Sequence, residues 1–322
     1  MSEQTERKRL ADVLAEIESL RPRISGSVAT ATNRVNELSE SLFANAGDFC
    51  RAQWCAVAYR EGLTKLGILL ENNLHFVETL GVLSLTRYIF ELLVWFRILA
   101  RDPEQGIEFY WQVIEKQVSH INDYQAKLYS EIAYFKELDK RDGIPDDALA
   151  AIAQDRTAVS ADDIARRLHA NADILDQEAR RRFSLYAEAA KTNGYGFQAF
   201  LIETKVLPLA EEGKTQVLAE KAEFEAQIGQ PRLDAVINLN GKRKRWNWKE
   251  RAASVGMSEQ YDFIYSYTSR LLHATPVSFY TNQKNLEVIE MLTFLDYVYV
   301  SLLDIIELTE KLSDVSGEEE TP

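Results

Sequence analysis

Apolar residues recur every third or fourth position along most of the chain, which is the spacing of one face of an α-helix. No stretch shows the sustained alternation of apolar and polar residues, rich in valine, isoleucine and threonine, that an exposed β-sheet requires. We therefore predict an all-α fold, a bundle of long helices with a helical arm inserted in the middle.

Six long helices are predicted, separated by positions where proline, glycine or asparagine interrupts the pattern. They cover residues 3–45, 48–72, 74–101, 103–140, 258–274 and 283–312. The first is expected to be one amphipathic helix, broken near Pro22 and Gly26. The helices at 74–101, 258–274 and 283–312 are expected to dominate the core.

The composition changes after Asp142-Gly143-Ile144-Pro145, the clearest break in the chain. Residues 146–230 are rich in Ala, Glu, Arg and Asp and hold fewer large apolar residues, so they form either an arm that faces a substrate or partner or simply solvated helices. The predicted parts are an N-terminal amphipathic helix, a discontinuous helical core, this arm, and a disordered acidic tail. The N-terminal helix covers 1–47, the core covers 48–140 and 240–312, the arm covers 146–230, and the tail covers 313–322.

The net charge and the amino-acid composition exclude several classes of protein. The chain has 322 residues, 46% of them hydrophobic, and a net charge of −13, which excludes a globally basic protein that coats nucleic acid. Two Cys exclude a disulfide scaffold and four His exclude a His-rich metal site, so we expect no metal and no cofactor. Long amphipathic helices at the N-terminus make a homodimer an expectation.

Two segments of the sequence predict where the protein is found in the cell. Residues 1–23 are rich in charged side chains and lack the apolar stretch of a secretory signal, which favours a cytoplasmic protein. Leu80–Ala100 is long enough to span a bilayer, but it contains Arg87, Glu91 and Arg97. We therefore expect a buried helix of a soluble protein and no membrane partner.

A polar stripe is predicted on the helix at 258–274. Tyr261, Tyr265, Ser269 and His273 recur every fourth residue, so they share one face, and Arg270 borders it. A His beside an Arg suits phosphodiester chemistry, because the imidazole can take a proton from a ribose hydroxyl while the guanidinium holds phosphate oxygens. The alternative is that these side chains satisfy one another inside the core.

Arg87 and Glu91 are charged residues four positions apart in an apolar helix. Charged residues are rarely buried unless they are paired, so this spacing predicts an ion pair on one helix face. The pair either locks two helices together or points into a cleft beside His273.

A basic, tryptophan-bearing stretch runs from Lys242 to Arg251. Its six Lys and Arg residues against one Glu give a net charge of +5 in an acidic protein. Lys and Arg side chains can follow a phosphate backbone while a tryptophan stacks on a base. The candidate RNA-binding residues are Lys242, Arg243, Lys244, Arg245, Trp246 and Trp248. The alternative is a solvated loop whose tryptophans pack inward.

An ordered set of residues resembles an uncharacterised bacterial family, number 5677 among the domains of unknown function. The set begins with Thr86–Leu92 in the apolar helix and continues with Trp246-Asn247-Trp248 and Glu250-Arg251-Ala252. It then includes Gly256, Tyr261 and Tyr265 and ends with Ser269–Pro276. The resemblance covers about 48–140 and 240–310, without the arm. It implies an all-helical bundle in which Arg87, Glu91, Trp246, Tyr265, Ser269 and His273 converge, and it implies no established activity.

A more distant resemblance is to HEPN-type helical domains, which often act as metal-independent ribonucleases or as partners in toxin and phage-defence systems. Their signature places an arginine four to six residues before a histidine, whereas Arg270 stands three before His273. Arg87, from another helix, could take the place of that arginine.

Two functions therefore remain open. The first is a HEPN-like protein that processes RNA in stress or phage defence, with His273 as general base, Arg270 or Arg87 binding phosphate, and Glu91 orienting an arginine. The second is a non-catalytic helical scaffold whose arm at 146–230 binds a protein partner.

Overall fold

The structure is a computed structural model that describes residues 3–44, 51–74, 78–143, 150, 160–239, 242–243, 247–272 and 286–314. Its fold is all-α, as predicted. The chain forms two compact units, one made of Met1–Trp111 with Glu225–Pro322 and the other of Gln112–Phe224.

Thirteen helices are described along the chain. In chain order they are α1 (Glu3–Ala44), α2 (Arg51–Leu74), α3 (Thr79–Arg101), α4 (Gln105–Arg141), α5 (Ala161–Arg181), α6 (Ala187–Asn193), α7 (Tyr195–Leu201), α8 (Leu207–Ile228), α9 (Gln230–Ile237), α10 (Trp248–Ser254), α11 (Ser258–Gln260), α12 (Ser266–Leu272) and α13 (Val288–Asp314). Two π-helical turns lie within this series, Ile202–Val206 between α7 and α8 and Tyr261–Tyr265 between α11 and α12. Because α13 continues to Asp314, the first two residues of the predicted disordered tail are helical, and the others lie outside the described residues.

Helices α2 and α3 of the first unit are antiparallel. The Tyr59 hydroxyl donates to the Phe96 carbonyl oxygen over 2.9 Å, and the Tyr88 hydroxyl donates to the Gly62 carbonyl oxygen over 3.1 Å. Positions that come later in α2 therefore meet positions that come earlier in α3. The Gly62 backbone also lies close to α3. A Cβ added at this position would stand 2.5 Å from the Leu92 Cδ1.

Helix α13 runs parallel to both α3 and α1. The Leu286 N–H before α13 donates to the Thr79 hydroxyl, and Arg97 pairs with Asp304 over 2.6 Å. On the other side, Arg9 pairs with Asp296 and Arg23 with Glu310, over 3.2 Å and 3.5 Å. Each of these last two pairs joins residues 287 positions apart, so they hold one register between α1 and α13.

The core of this unit is centred on α3. Twelve of its 23 residues are buried, which places α3 inside the bundle rather than on its surface. The core also draws on α1, α2 and α13, including Val13, Ile17, Leu20, Ile24, Tyr59, Leu63, Leu66, Leu70, Phe294, Leu295, Val298 and Leu302. The expectation that residues 258–274 would dominate the core is therefore wrong, since this segment places only Ile264 and Thr268 among the buried residues described.

Helix α1 continues through Pro22 and Gly26, where the sequence predicted a break. Pro22 is exposed, whereas Leu20 and Ile24 on either side of it are buried. Packing of this apolar stripe against the bundle outweighs the loss of one backbone hydrogen bond at proline.

The second unit has its own hydrophobic core, formed by α4 to α8. Its buried residues include Leu128, Tyr134, Phe135, Leu138, Leu175, Ala179, Tyr195, Ala199 and Ile202. Gly194, with φ +84°, separates α6 from α7. The Gly196 N–H then donates to the Asp139 Oδ1 over 2.9 Å, and only glycine allows this approach, because a Cβ would stand 2.5 Å from that oxygen.

No helix among the described residues is both long enough and apolar enough to cross a membrane. Charged side chains interrupt the apolar helix α3 at Arg87, Glu91 and Arg97.

Candidate functional site

Arg87 and Glu91 lie one turn apart on α3 and form the ion pair that the sequence predicts. The Arg87 Nε donates to the Glu91 Oε1 over 3.0 Å. The two side chains are 24% and 28% exposed, so the pair is not sealed inside the core. It lies at the edge of the apolar bundle, where solvent and a ligand can reach it.

Arg87 also joins α3 to the π-helical turn. Its Nη2 donates to the Tyr265 hydroxyl oxygen over 3.2 Å, and its guanidinium carbon lies 4.7 Å from the centre of the Tyr265 ring. A guanidinium held between a carboxylate and an aromatic face has few conformations left to lose, so it is positioned before any ligand binds. We call Arg87, Glu91 and Tyr265 the arginine cluster.

The π-helical turn sets the position of Tyr265. The Tyr261 and Tyr265 rings stack with their centroids 5.0 Å apart. The Ser266 hydroxyl donates to the Tyr261 carbonyl oxygen five residues back, over 3.4 Å. Single π-helical turns within α-helices are frequent at functional sites, because they displace side chains from the ordinary helical positions.

Two further aromatic residues border the cluster. The buried Phe90 ring lies 5.7 Å from the Tyr265 ring, and the half-buried Trp248 ring lies 6.2 Å from it. Trp248, predicted to bind RNA, is thus next to the arginine cluster and packs against the core. These two rings pack around Tyr265, the ring that Arg87 contacts.

Several hydrogen-bond donors at this site have no partner among the described residues. Arg87 uses one N–H at Nε and one at Nη2, which leaves the N–H groups of Nη1 for a ligand. The Tyr265 hydroxyl accepts from Arg87, so its own proton is available to an acceptor. The Ser269 Oγ, one turn further, is buried and also lacks a partner within the described part of the chain.

Burial raises the pKa of two tyrosines near Arg87 above the ordinary value for the side chain. For Tyr265, the positive charge of Arg87 opposes this rise in pKa, and the negative charge of Glu91 reinforces it. Burial, together with the negative charge of Glu91, raises the pKa of Tyr88 to about 12. The Tyr265 phenol is therefore neutral near neutral pH and can donate a hydrogen bond, whereas the Tyr88 hydroxyl donates to Gly62.

The other predicted site residues are placed as follows. Arg270 is exposed and makes no hydrogen bond or ion pair with a described residue. The arginine that contacts the predicted polar stripe is Arg87, through Tyr265. Lys242 and Arg243 form the short strand β2 (Lys242–Arg243), which pairs with β1 (Asn238–Leu239). The residues that lie outside the described part of the chain are His273, Lys244, Arg245 and Trp246.

A family model matches residues 61–287, which is more than two thirds of the chain. The chain belongs to DUF5677, a family of unknown function. The match runs through the arm, which the resemblance inferred from sequence left out, and it ends before α13. No curated protein and no solved structure matches the chain. The arginine cluster of this DUF5677 protein lies wholly within the matched residues.

A buried ion pair between Arg251 and Glu108 was not predicted. The Arg251 Nη2 donates to the Glu108 Oε1, with the side chains 17% and 5% exposed, and Nη1 donates to Gln105. One cation of the basic stretch is therefore engaged inside the protein. The two partners are 143 residues apart, and no local pattern links them.

The hairpin was also missed, although a signal for it is present. Asn238 pairs with Arg243 and Leu239 with Lys242, so the basic stretch begins on a β-strand. The two residues between the strands are Asn240 and Gly241, and Asn-Gly is the strongest short-range sequence signal for a hairpin.

No group of three or more His, Cys, Asp or Glu residues capable of holding a metal ion occurs in the described part of the chain. The arrangement of donors at the arginine cluster instead matches a group that carries several negatively charged oxygens.

Proposed function

We propose that this DUF5677 protein binds RNA at the arginine cluster and cleaves it as a metal-independent, HEPN-like ribonuclease. The observation that carries the proposal is the state of Arg87. Its guanidinium is fixed by Glu91 and Tyr265 and remains partly exposed, and no described residue bonds to the N–H groups of Nη1.

A phosphate is the ligand that this geometry favours. Guanidinium N–H groups recognise phosphate oxygens in pairs, through charge-assisted hydrogen bonds. The Tyr265 hydroxyl can donate a further bond to the same group. A carboxylate would satisfy part of this set, but the basic residues Lys242, Arg243, Lys244 and Arg245 in the same unit favour a ligand with repeated charges.

His273 supplies the proposed chemistry. It follows α12 by one residue, four positions after Ser269 and eight after Tyr265. Its imidazole takes the proton from a ribose 2′-hydroxyl, whose oxygen attacks the adjacent phosphorus. The bond from phosphorus to the 5′ oxygen breaks, this oxygen takes a proton from water as it leaves, and the His273 imidazolium returns its proton to the solvent. The products carry a 2′,3′-cyclic phosphate and a 5′-hydroxyl, and Arg87 stabilises the charge on the phosphorane oxygens.

The remaining candidates have supporting roles in the proposal. Trp246 and Trp248 contact bases, and the lysines and arginines from Lys242 to Arg245 follow the RNA backbone. Glu91 orients Arg87 and does not contact RNA. Arg270, the other arginine predicted to contact phosphate, is exposed on α12, and the proposal gives the phosphate contact to Arg87.

The test is incubation of the full-length protein with a mixed, end-labelled RNA pool in a chelating buffer, beside His273→Ala and Glu91→Gln. The proposal expects cleavage by the wild type, products with cyclic phosphate ends, and a loss of about 10²–10⁴ in rate for His273→Ala. Glu91→Gln should retain part of the activity. Equal cleavage by His273→Ala would remove that residue from the mechanism.

A second candidate function is a non-catalytic interaction protein, and one observation favours it. Phe197 and Phe200 of α7 are 56% and 52% exposed, and their rings stack with centroids 6.2 Å apart. Exposed neighbouring aromatics are typical of protein interfaces. This function predicts that affinity capture from the native host recovers one protein with the wild type and loses it with Phe197→Ser/Phe200→Ser, while no RNA is cleaved.

A further inference from the structure

Phe183 of the second unit has an unusual backbone conformation. Its φ is +56°, and it is the only residue other than glycine with a positive φ among those described. Bulky residues rarely adopt the left-handed region, because their Cβ crowds the backbone. The Phe183 side chain is nevertheless 77% exposed, so burial of the ring does not compensate for this conformation.

Phe183 stands where a helix usually ends in glycine. Its N–H donates to the Arg180 carbonyl oxygen over 3.1 Å, and the Ser184 N–H donates to the Ala179 carbonyl oxygen over 3.4 Å. These two bonds define the Schellman motif, in which the residue after the cap is left-handed and commonly glycine. The Ser184 hydroxyl then donates to the buried Glu131, which anchors the turn.

The anchored turn holds Phe183 outward beside cations. The Lys127 Nζ lies 5.7 Å from the centre of the Phe183 ring. Arg181 and Arg182 are exposed and form no ion pair with a described residue. The Arg182 guanidinium carbon lies 4.1 Å from the centre of the Tyr134 ring, which positions this cation.

We propose that this turn is a second RNA-binding site, at which Phe183 stacks on an unpaired base while Arg181 and Arg182 contact phosphates. Strained conformations persist where a side chain must be presented, and here the presented group is an aromatic face. Single-stranded RNA offers both a flat base and a negative backbone, which match the ring and the two arginines. An acidic peptide would match only the charges, and double-stranded RNA does not expose its bases for stacking.

This inference rests on the proposed function, because it takes RNA to be the ligand, but it concerns the second unit and different residues. The probe is a fluorescein-labelled 2′-O-methyl oligouridylate, which lacks the 2′-hydroxyl needed for cleavage. Fluorescence anisotropy gives its affinity for the full-length wild type, Phe183→Gly, Phe183→Trp and Arg87→Gln. Phe200→Ala is the matched control, because it removes another exposed ring of the same unit.

Phe183→Gly is the informative variant, because binding and folding should change in opposite directions. Glycine suits the left-handed position, so the melting temperature should rise by a few degrees. Loss of one stacked base should weaken binding about 5- to 150-fold. Phe183→Trp should bind within a few-fold of the wild type, and Phe200→Ala should bind like the wild type.

The other outcomes separate the two proposals. Wild-type affinity in Phe183→Gly, with weakened binding in Arg87→Gln, would overturn the second site and leave the arginine cluster standing. No binding by the wild type would remove the proposed function and this inference with it. Vesicles of phosphatidylcholine and phosphatidylglycerol form a parallel arm. If the wild type bound these vesicles but not the RNA probe, and Phe183→Gly did not bind them, the turn would be a lipid site instead.

Discussion

Arg87 contacts Tyr265 in two ways, since its guanidinium carbon lies 4.7 Å from the centre of the ring while its Nη2 donates to the hydroxyl oxygen over 3.2 Å. The two residues are 178 positions apart and belong to α3 and the π-helical turn. This contact joins the central helix of the first unit to the segment that leads to His273. The proposed phosphate contact and the proposed general base are therefore linked through this pair of side chains.

Replacing Tyr265 by phenylalanine should separate the hydroxyl from the ring. Tyr265→Phe keeps the aromatic face beneath Arg87 but removes one hydrogen bond, which contributes about 0.5–1.5 kcal/mol. Affinity for the 2′-O-methyl oligouridylate should fall about 2- to 10-fold. Tyr261→Phe is the matched control, since no hydrogen bond of the Tyr261 hydroxyl to a described residue is found, and it should bind as the wild type does. Equal affinities for the two variants would mean that the Tyr265 hydroxyl has no part in binding.

Helical periodicity predicted most of the fold because it reports local burial. The predicted helix at 103–140 corresponds to α4, Gln105–Arg141, and the pair Arg87–Glu91 follows directly from its spacing of four. Ser160 precedes α5, and its hydroxyl accepts the Asp163 N–H three residues further on, over 3.1 Å. These features depend only on residues a few positions apart.

Features set by distant contacts were not predictable in this way. The continuity of α1 through Pro22 depends on packing against α2 and α13, which no local pattern contains. The π-helical turn at Tyr261–Tyr265 interrupts a stripe that a regular α-helix would continue. The pairing of Arg251 with Glu108 links a segment predicted to bind RNA to the interior of the bundle. All three features depend on contacts between residues that are far apart in the sequence.

Arg251→Ala should be strongly destabilising. It leaves the Glu108 carboxylate buried without its cation, and loss of one partner of a buried pair costs about 3–5 kcal/mol. Urea unfolding measures this cost. Lys249→Ala, an exposed cation two residues away, should change the free energy of unfolding by less than about 0.5 kcal/mol. The double variant Arg251→Met/Glu108→Leu should be more stable than Arg251→Ala, and a lower stability would contradict a desolvation cost.

Helix α1 should contribute to stability through its buried stripe rather than through its ion pairs. Ile17 is fully buried, so Ile17→Ala should lower the free energy of unfolding by about 2–5 kcal/mol. The Arg9 and Asp296 side chains are 56% and 43% exposed, and Arg9→Ala should cost about 1 kcal/mol or less. Thermal melts of the two variants compare these costs directly. A larger effect of Arg9→Ala would mean that the register pairs, not the core, hold α1 in place.

Stability should fall in strongly alkaline solution, in part because of Tyr88. Its pKa is raised to about 12 by burial and by Glu91, whereas an unfolded tyrosine has a pKa of about 10. Between these values the unfolded chain loses the proton and the folded chain keeps it, so the free energy of unfolding decreases as pH rises. Urea unfolding at a series of pH values should show a shallower decrease for Tyr88→Phe. Identical slopes would show that this phenol ionises equally in both states.

The most direct test compares two arginines that differ in their contacts. Arg87 is fixed by Glu91 and Tyr265, whereas Arg270 is exposed and makes no hydrogen bond or ion pair with a described residue. Arg87→Gln and Arg270→Gln remove the same charge, and the melting temperature of each variant shows whether it is folded. We expect Arg87→Gln to weaken binding of the 2′-O-methyl oligouridylate about 10- to 100-fold, since a hydrogen bond to a charged group contributes about 1.5–3 kcal/mol. Arg270→Gln should bind within about two-fold of the wild type, because it loses only a screened charge. Equal affinities for the two variants would contradict an RNA-binding site at the arginine cluster.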